Sequence, residues 1–234
     1  MSRSIIISII IPVLNEAAII TQTLERIKFN PQVEIIVVDG GSNDETVTLA
    51  KQKKVTVTIV AKKGRAAQMN AGAKIAQGDI LLFLHSDTQL PDNYLEIVQK
   101  TLARSLAIAG AFSLKIDGKN LPLRLVEITV EMRSRFLSLP YGDQGLFLTK
   151  QTFQEIGGFA DLPIMEDFEI VQRLKRQGKI AIAPATAVTS SRRWQKLGVL
   201  QTTAINQLII LGYYLGISPL KLKNFYRNFG SKAK

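Results

Sequence analysis

Along the first ninety residues, short apolar runs alternate with stretches where apolar residues recur at helical spacing. Ile5 to Ile11 is a mostly β-branched run closed by Pro12, which predicts a first strand. Ile20, Leu24 and Ile27 repeat at i, i+4 and i+7, the pattern of an amphipathic helix. Asn15 is its expected cap, with Glu16 in the first turn, where the helix dipole favours a negative charge. Asn30-Pro31 ends that helix, and Glu34 to Val38 predicts a second strand. Ser42 and Glu45 have capping-box spacing for a helix running to about Lys54. Val55 to Val60 predicts a third strand, and Gly64 to Gln77 a helix ending at Gly78. Ile80 to Leu84, five apolar residues in a row, predicts a fourth strand buried on both faces.

Three strand–helix units followed by a strand predict a parallel, doubly wound sheet with right-handed crossovers. In such a sheet the strand ends gather along one edge, and ligands bind there. Asn15, Glu16, Asp39, Arg65 and Asp87 all lie at or just past strand ends, and are expected to share one crevice. The chain has neither G-x-G-x-x-G nor a P-loop, which disfavours Rossmann dehydrogenases and P-loop kinases. Asp87 has a bland reading as well, as a turn residue ahead of Pro91.

The second half is less regular. A helix is expected after Pro91, with Leu95, Val98 and Leu102 on one face, then a strand over Ala107 to Ile116. Residues 121–139 are amphipathic: Leu121, Leu125, Ile128, Met132 and Phe136 oppose Arg124, Glu127, Glu131, Arg133 and Arg135. Tyr141 to Gly145 reads as a loop before the apolar run Leu146 to Leu148. Phe153, Ile156, Gly157-Gly158 and Phe159 read as a helix end and turn. Glu166 and Asp167 open a further helix with Phe168, Val171 and Leu174 as its apolar face. Those two carboxylates either complement the helix dipole or supply a general base. Residues 179–190 read as short strands around Pro184. Ser190 to Trp194 puts two guanidiniums, which grip phosphate oxygens in bidentate fashion, beside the single tryptophan.

Leu197 to Leu220 carries no charge, yet contains Gln201, Thr202, Thr203, Asn206, Gln207, three glycines and Pro219. It is open as a core or oligomer contact, an in-plane helix at a membrane interface, or a spanning helix. The basic residues that follow, Lys221, Lys223 and Arg227, would suit an anionic cytoplasmic leaflet.

Composition narrows the chemistry. The chain has 234 residues, 46% hydrophobic and 21% charged, enough for one sizeable core. With no cysteine and one histidine, disulfides, thiolate metal sites and multi-histidine zinc sites are excluded. Any metal would be held by carboxylates, water and ligand phosphates, which points to Mg²⁺ or Mn²⁺. The formal charge of +11 favours anionic partners. The cations fall in groups, among them Lys62, Lys63 and Arg65; Arg192, Arg193 and Lys196; and Lys221, Lys223, Arg227, Lys232 and Lys234. The apolar N-terminal run lacks a small-residue cleavage site, so a strand and a cytoplasmic location are expected rather than a signal peptide.

The segments SIIIPVLNE, EIIVVDGGSNDET, GRAAQMNAGAKIAQGDILLFLHSDT, GDQG, GGF followed by MEDFE, and RRW occur in that order over roughly residues 5–195. Together they resemble the family 2 glycosyltransferases of GT-A fold. The resemblance implies one α/β domain of GT-A type, residues 1–195, with a mostly parallel, Rossmann-like central sheet flanked by helices. Its nucleotide-binding half would be residues 1–90 and its acceptor and catalytic half 91–195, with a C-terminal helical element over 196–234.

What the resemblance implies for activity is an inverting transfer of a sugar, of hexosyl type, from a UDP- or GDP-linked donor to an unknown acceptor. Pro12, Asn15, Glu16, Asp39, Gly40 and Arg65 would line the nucleotide pocket. Asp87 would be the ligand to Mg²⁺ or Mn²⁺. Asp167, beside Glu166, would be the base. Asp143, Gln144, Arg192, Arg193 and Trp194 would face the diphosphate or the acceptor. Three departures qualify this. His85 stands at the first acidic position of D-x-D, Gly40 stands where a second aspartate often follows Asp39, and SSRRW lacks the glutamine of Q-x-x-R-W. The last points to a single transfer rather than processive synthesis. A lipid-linked acceptor, peripheral membrane contact through 197–227 at the inner face, a homo-oligomer, and no nucleic-acid partner complete the expectation.

Two alternatives belong to other classes. A nucleotidyltransferase would carry a glycine-rich, lysine-containing loop after the first strand, where IPVLNE stands. A non-catalytic basic module fits poorly with Asp39, Asp87 and Asp167, because carboxylates repel phosphate unless a metal intervenes.

Overall fold

Strand β1 (Ile7–Val13) sits inside the sheet because both of its faces are apolar. Alternation sends Ile7, Ile9, Ile11 and Val13 into one core cluster and Ile10 into the other. The computed structural model describes residues 6–27, 30–59, 64–104 and 106–231. Ile5, Val60, Lys62, Lys63, Lys232 and Lys234 lie outside the described residues.

From β1 the chain runs through α1 (Ala17–Arg26), β2 (Val33–Asp39), α2 (Thr46–Lys51), β3 (Thr56–Ile59) and α3 (Arg65–Ile75) to β4 (Ile80–Phe83). β1 pairs in parallel with β2 and β4, and β2 with β3, as the alternating pattern predicts. Helix α3 lies against β1 and β2 through Gly72. A Cβ there would come within 2.5 Å of Ile10 Cγ2 and 2.9 Å of Val38 Cγ2, so only glycine allows this approach.

The second half supplies β5 (Thr88–Gln89), α4 (Tyr94–Arg104), β6 (Ala107–Ile116), α5 (Leu121–Leu137), β7 (Leu146–Thr149), α6 (Lys150–Glu155), α7 (Glu166–Gln177) and β8 (Lys179–Thr189). The eight-stranded order is β3-β2-β1-β4-β7-β6-β8-β5. β7 runs antiparallel to β4 and β6, and β5 antiparallel to β8, in an otherwise parallel sheet. Gly110 of β6 has no Cβ to clash with the ring of Phe147, whose Cε2 would lie 2.4 Å away. Of the remaining helices, α8 (Arg192–Leu197) packs on α9 (Val199–Tyr214), and α9 and α10 (Pro219–Ser231) pack on α7. Ile205, Ile209 and Leu222 bury against Met165 and Phe168. Burying Phe168 alone is worth roughly 1.5–3 kcal/mol.

Several local expectations change. Asn15 does not cap α1: it adopts φ 55, and its side chain accepts the Asn43 amide at 2.8 Å. Asp44 and Thr46 instead accept the amides of Ala17 and Glu16. Ser42 does not cap α2; its hydroxyl accepts the Asn15 amide at 2.8 Å and donates to Asp39. Instead of several short strands over 179–190, one strand, β8, runs from Lys179 to Thr189, with Pro184 and Ala185 carried in a bulge between the pairs Phe112–Ala183 and Ser113–Thr186. The apolar row of α5 faces outward: Leu121, Leu125, Ile128, Met132 and Phe136 are exposed, while Leu123, Val130 and Ser134 are buried. Finally, the uncharged stretch 197–220 breaks at Leu215–Ser218 between α9 and α10. Among the described residues, no helix is long and apolar enough to cross a membrane.

Candidate active site

The end of β4 and the start of α7 meet at one cleft. After Phe83 the chain leaves the sheet through His85, Ser86 and Asp87. The hydroxyl of Thr23 on α1 donates to the Ser86 carbonyl, and the Ser190 amide donates to the Asp87 carbonyl at 3.1 Å. These bonds fix the strand exit, so Asp87 is presented by a rigid element. One Oδ of Asp87 lies 3.3 Å from the Arg192 guanidinium, which also reaches Glu16 at 3.3 Å. Arg192 thus ties α8 to the start of α1 and the end of β4.

Helix α7 begins after Met165, which takes the left-handed conformation at φ 70. Oδ1 of Asp167 accepts the Phe168 amide at 2.8 Å, and Oδ2 accepts the Gly142 amide at 3.0 Å. Glu166 is buried and lies 3.4 Å from Arg65, the first residue of α3. Burial raises the Glu166 pKa above its ordinary value, with Arg65 opposing and Asp167 reinforcing that shift.

Gly142 belongs to a 3₁₀ turn, Gly142–Gln144, which Gln144 holds in place. Its Oε1 accepts from the Ser134 hydroxyl and the Tyr141 amide, both at 3.0 Å, and its Nε2 donates to the Phe112 carbonyl at 2.9 Å. Asp143 in the same turn is left with a buried Oδ1 that has no hydrogen-bond partner. Burial pushes its carboxyl up to about 6, with Arg133 pulling the other way. The Arg133 guanidinium itself stacks 3.3 Å above the Tyr141 ring. His85 is half-buried, and desolvation and then Arg65 push it down to about 4, so its imidazole is neutral at pH 7. On the far side Arg193 donates to Asn206 at 3.1 Å and lies over the Tyr226 ring. Burial, then Arg65, pushes its guanidinium down to about 10, which leaves it charged.

These groups line a cavity of about 550 Å³. Of the residues expected from the sequence, Arg65, Asp87, Asp143, Glu166, Asp167, Arg193 and Trp194 come together there. Arg192 reaches the cavity only through its contact with Asp87. Gln144 is placed differently from the expectation: fully buried and bonded to Arg133, Ser134, Tyr141 and Phe112, it shapes the turn and does not line the cavity. Pro12, Asn15, Glu16, Asp39 and Gly40 do not line the cavity either. Asp39 is buried, and its oxygens accept the amides of Gly41 and Ser42 and the Ser42 hydroxyl, so it closes the turn after β2. Gly40 packs against Gln68, whose amide bonds the Val13 and Val38 carbonyls. Lys223 and Arg227, expected at a lipid surface, face the cavity with Tyr226. Their i, i+3, i+4 spacing on one helix was the signal available in the sequence.

The cavity therefore opposes carboxylates with guanidinium and ammonium groups. Such cations grip phosphate oxygens, and a held carboxylate can take a proton. Among the described residues no three His, Cys, Asp or Glu side chains form a metal centre. The donors at the end of β4, one carboxylate and one neutral imidazole, fit a divalent cation shared with ligand oxygens and water rather than a protein-only site.

Solved structures define the class. The mannosyltransferase PcManGT from Pyrobaculum calidifontis, in complex with GDP-Man and Mn²⁺, superposes with a TM-score of 0.67 at 20% identity. That match covers 88% of this chain and 65% of the other. S. aureus TarS 1-349 in complex with UDP-GlcNAc gives 0.65 at 18% identity, over 80% of this chain and 59% of the other. The fold is thus an α/β GT-A domain with a curled, mostly parallel sheet. The family model described as glycosyl transferase family 2 matches residues 8–160, well over half of the chain, and the protein belongs to that family. A PGL/p-HBAD biosynthesis glycosyltransferase of Mycobacterium bovis is 35% identical over 111 residues, 44% of this chain and 41% of the relative. An undecaprenyl-phosphate 4-deoxy-4-formamido-L-arabinose transferase of Pseudomonas aeruginosa is 25% identical over 152 residues, 58% of this chain and 45% of the relative. The chain thus spans less than half the length of these curated relatives.

Proposed function

We propose that the protein moves a hexosyl group from a nucleotide-diphosphate donor to an acceptor hydroxyl, in one configuration-inverting displacement, one sugar per encounter. The observation that carries this reading is the convergence of Asp87, from the end of β4, and Asp167, from the start of α7, on one cavity that also holds Arg65 and Arg193. In this reading residues 1–90 supply the nucleotide side and 91–195 the acceptor side, and α9 and α10 border the cleft. Donors of the UDP or GDP type are supported by what the named structural neighbours hold.

Asp167 is the base. An acceptor hydroxyl is a poor nucleophile until a carboxylate takes its proton. The amides of Gly142 and Phe168 fix the orientation of that carboxylate and leave its other lone pairs for the acceptor. Glu166 holds Arg65 rather than sharing the proton transfer. Arg65, Arg193, Lys223 and Arg227 bind the diphosphate, whose charge grows as it leaves. Asp87 would hold Mg²⁺ or Mn²⁺ together with the diphosphate, and the ion would neutralise part of that charge.

The acceptor is lipid-linked in this reading, with peripheral contact to the inner face of the membrane through residues 197–227. Support comes from the name of the Pseudomonas relative and from the exposed leucines of α9. The test is a panel of UDP- and GDP-sugars with Mn²⁺, Mg²⁺ or chelator. Release of nucleoside diphosphate and the anomeric configuration of the product are read by NMR. The reading fails if no donor is turned over and no nucleoside diphosphate raises the melting temperature.

A further inference from the structure

We propose that α5, together with α9, is the surface on which this protein lies against an anionic lipid bilayer. The outer row of α5, Leu121, Leu125, Ile128, Met132 and Phe136, recurs at i, i+4, i+7, i+11 and i+15. Exposure of these side chains runs from 55% at Ile128 and Met132 to 79% at Leu121 and Phe136. A helix on a water-facing surface turns its apolar stripe inward. Here Leu123, Val126 and Val130 face inward, yet a second apolar row faces out, and the polar residues beside the inner row turn toward β6. Glu127 accepts the Ile116 amide at 2.5 Å, Glu131 accepts the Ser113 hydroxyl at 3.0 Å, and Arg124 donates to the Ile116 and Gly118 carbonyls. Those bonds to β6 lock the helix in the orientation that points its leucines outward.

The neighbouring helix shows the same exposure. α5 and α9 meet where Leu123, Val126 and Val130 pack with Trp194 and Val199. α9 has no charged residue and exposes Leu200, Leu208 and Leu211, followed by Leu215. At 17 residues, α5 carries five charged side chains, which suits a helix lying in the interface plane rather than crossing it.

Charge selects the partner. Residues 170–234 contain twelve Lys and Arg and no Asp or Glu, whereas the rest of the chain has eighteen basic and nineteen acidic residues. The excess therefore sits in the stretch from α7 to the C-terminus, where Arg193, Lys223 and Arg227 face the cleft and the other basic residues among those described do not line it. Lys196 and Lys221, outside the cleft, are exposed beside the apolar helices. A second copy of this chain would bring two such segments together and repel. An anionic lipid surface attracts them, at about 1 kcal/mol per basic residue near the surface. The inference deepens the lipid-linked acceptor reading, since α9 and α10 also line the cleft, but its test uses neither donor nor acceptor.

The experiment is co-sedimentation of the full chain with phosphatidylcholine vesicles, with and without phosphatidylglycerol. The variant is Leu125→Glu/Ile128→Glu/Met132→Glu, at positions that are solvent-exposed and do not line the cleft. The wild type pellets with the anionic vesicles and is released by salt. The variant binds at least about tenfold more weakly, because apolar insertion is lost. Its nucleoside-diphosphate thermal shift and circular dichroism match the wild type, which separates lost docking from lost folding. The proposal is overturned if the wild type does not bind, if the variant binds equally well, or if light scattering shows that the variant merely converts a dimer to a monomer. Vesicle binding without sugar transfer would sink the transferase reading alone; transfer to a soluble acceptor without vesicle binding would sink this one alone.

Discussion

The Gly142 amide donates to Oδ2 of Asp167 across 3.0 Å, joining the turn before β7 to the first residues of α7. The two residues are separated by 25 positions, so the bond exists only in the assembled fold. With the Phe168 amide on Oδ1, it holds one carboxylate in a single orientation at the cavity wall. Asp167→Asn keeps the shape and removes the proton acceptor. We expect kcat to fall by about 10²–10⁴-fold with the donor KM little changed, the usual worth of a general base. Steady-state kinetics measure both, and normal turnover would mean that another group takes the proton.

Gly142 carries a second constraint. A Cβ at that position would lie 3.0 Å from both Asp167 Oδ2 and His85 Nε2, and 3.3 Å from Asp167 Cβ. Gly142→Ala must therefore push the turn away from the carboxylate and stretch the hydrogen bond. We expect kcat/KM to drop by about tenfold or more, since misplacement of about 1 Å can cost 10²-fold. The far ends of side chains yield cheaply, so the melting temperature should change little. A large loss of stability with unchanged activity per folded molecule would contradict this account.

The strands of the first ninety residues were legible because burial on both faces leaves a run of apolar residues with no helical period, as in Ile9-Ile10-Ile11 and Leu81-Leu82-Phe83. Caps were not. Asn15 and Ser42 have the chemistry of N-caps, yet each is spent on the other's loop, 27 or 28 residues away. Local spacing cannot weigh a long-range bond against a cap. Periodicity likewise located α5 but could not say which face meets the protein. Glu127 and Glu131 bond β6, and that choice depends on strand groups no pattern in the helix reveals. In the site, the carboxylate–cation theme was readable from Asp87, Asp167 and Arg193. The roles of Gln144 as a prop and of Lys223 and Arg227 as cavity residues required the packed structure.

The seat of α3 on the sheet gives a stability prediction. Ile10 and Val38 fill the space that a side chain at residue 72 would need, with clashes at 2.5 and 2.9 Å. Both are buried core residues and cannot swing into solvent. Gly72→Ala should destabilise by about 1–3 kcal/mol through overpacking, despite the better helix propensity of alanine. Denaturant unfolding measures this, and a variant as stable as the wild type would show that the α3–β1 contact is looser than described.

Asp143 supplies the pH dependence. Its carboxyl titrates at about 6 in the folded protein because burial disfavours the charged form, while Arg133 opposes the shift and Asp167 adds to it. In the unfolded chain the ordinary value of 3.8 returns. The folded state therefore holds this proton more tightly. The resulting stabilisation is complete below about pH 4 and is lost as pH rises through about 6. At neutral pH the ionised carboxylate, with one oxygen buried and unpartnered, costs on the order of 2–3 kcal/mol. Asp143→Asn removes the titration and keeps the size. The variant should melt higher than the wild type at about pH 7.5, and the gap should close as pH falls towards about 4. Thermal unfolding across that range is the measurement. A gap independent of pH would mean that the stability change comes from packing, and that the Asp143 carboxylate is paired after all.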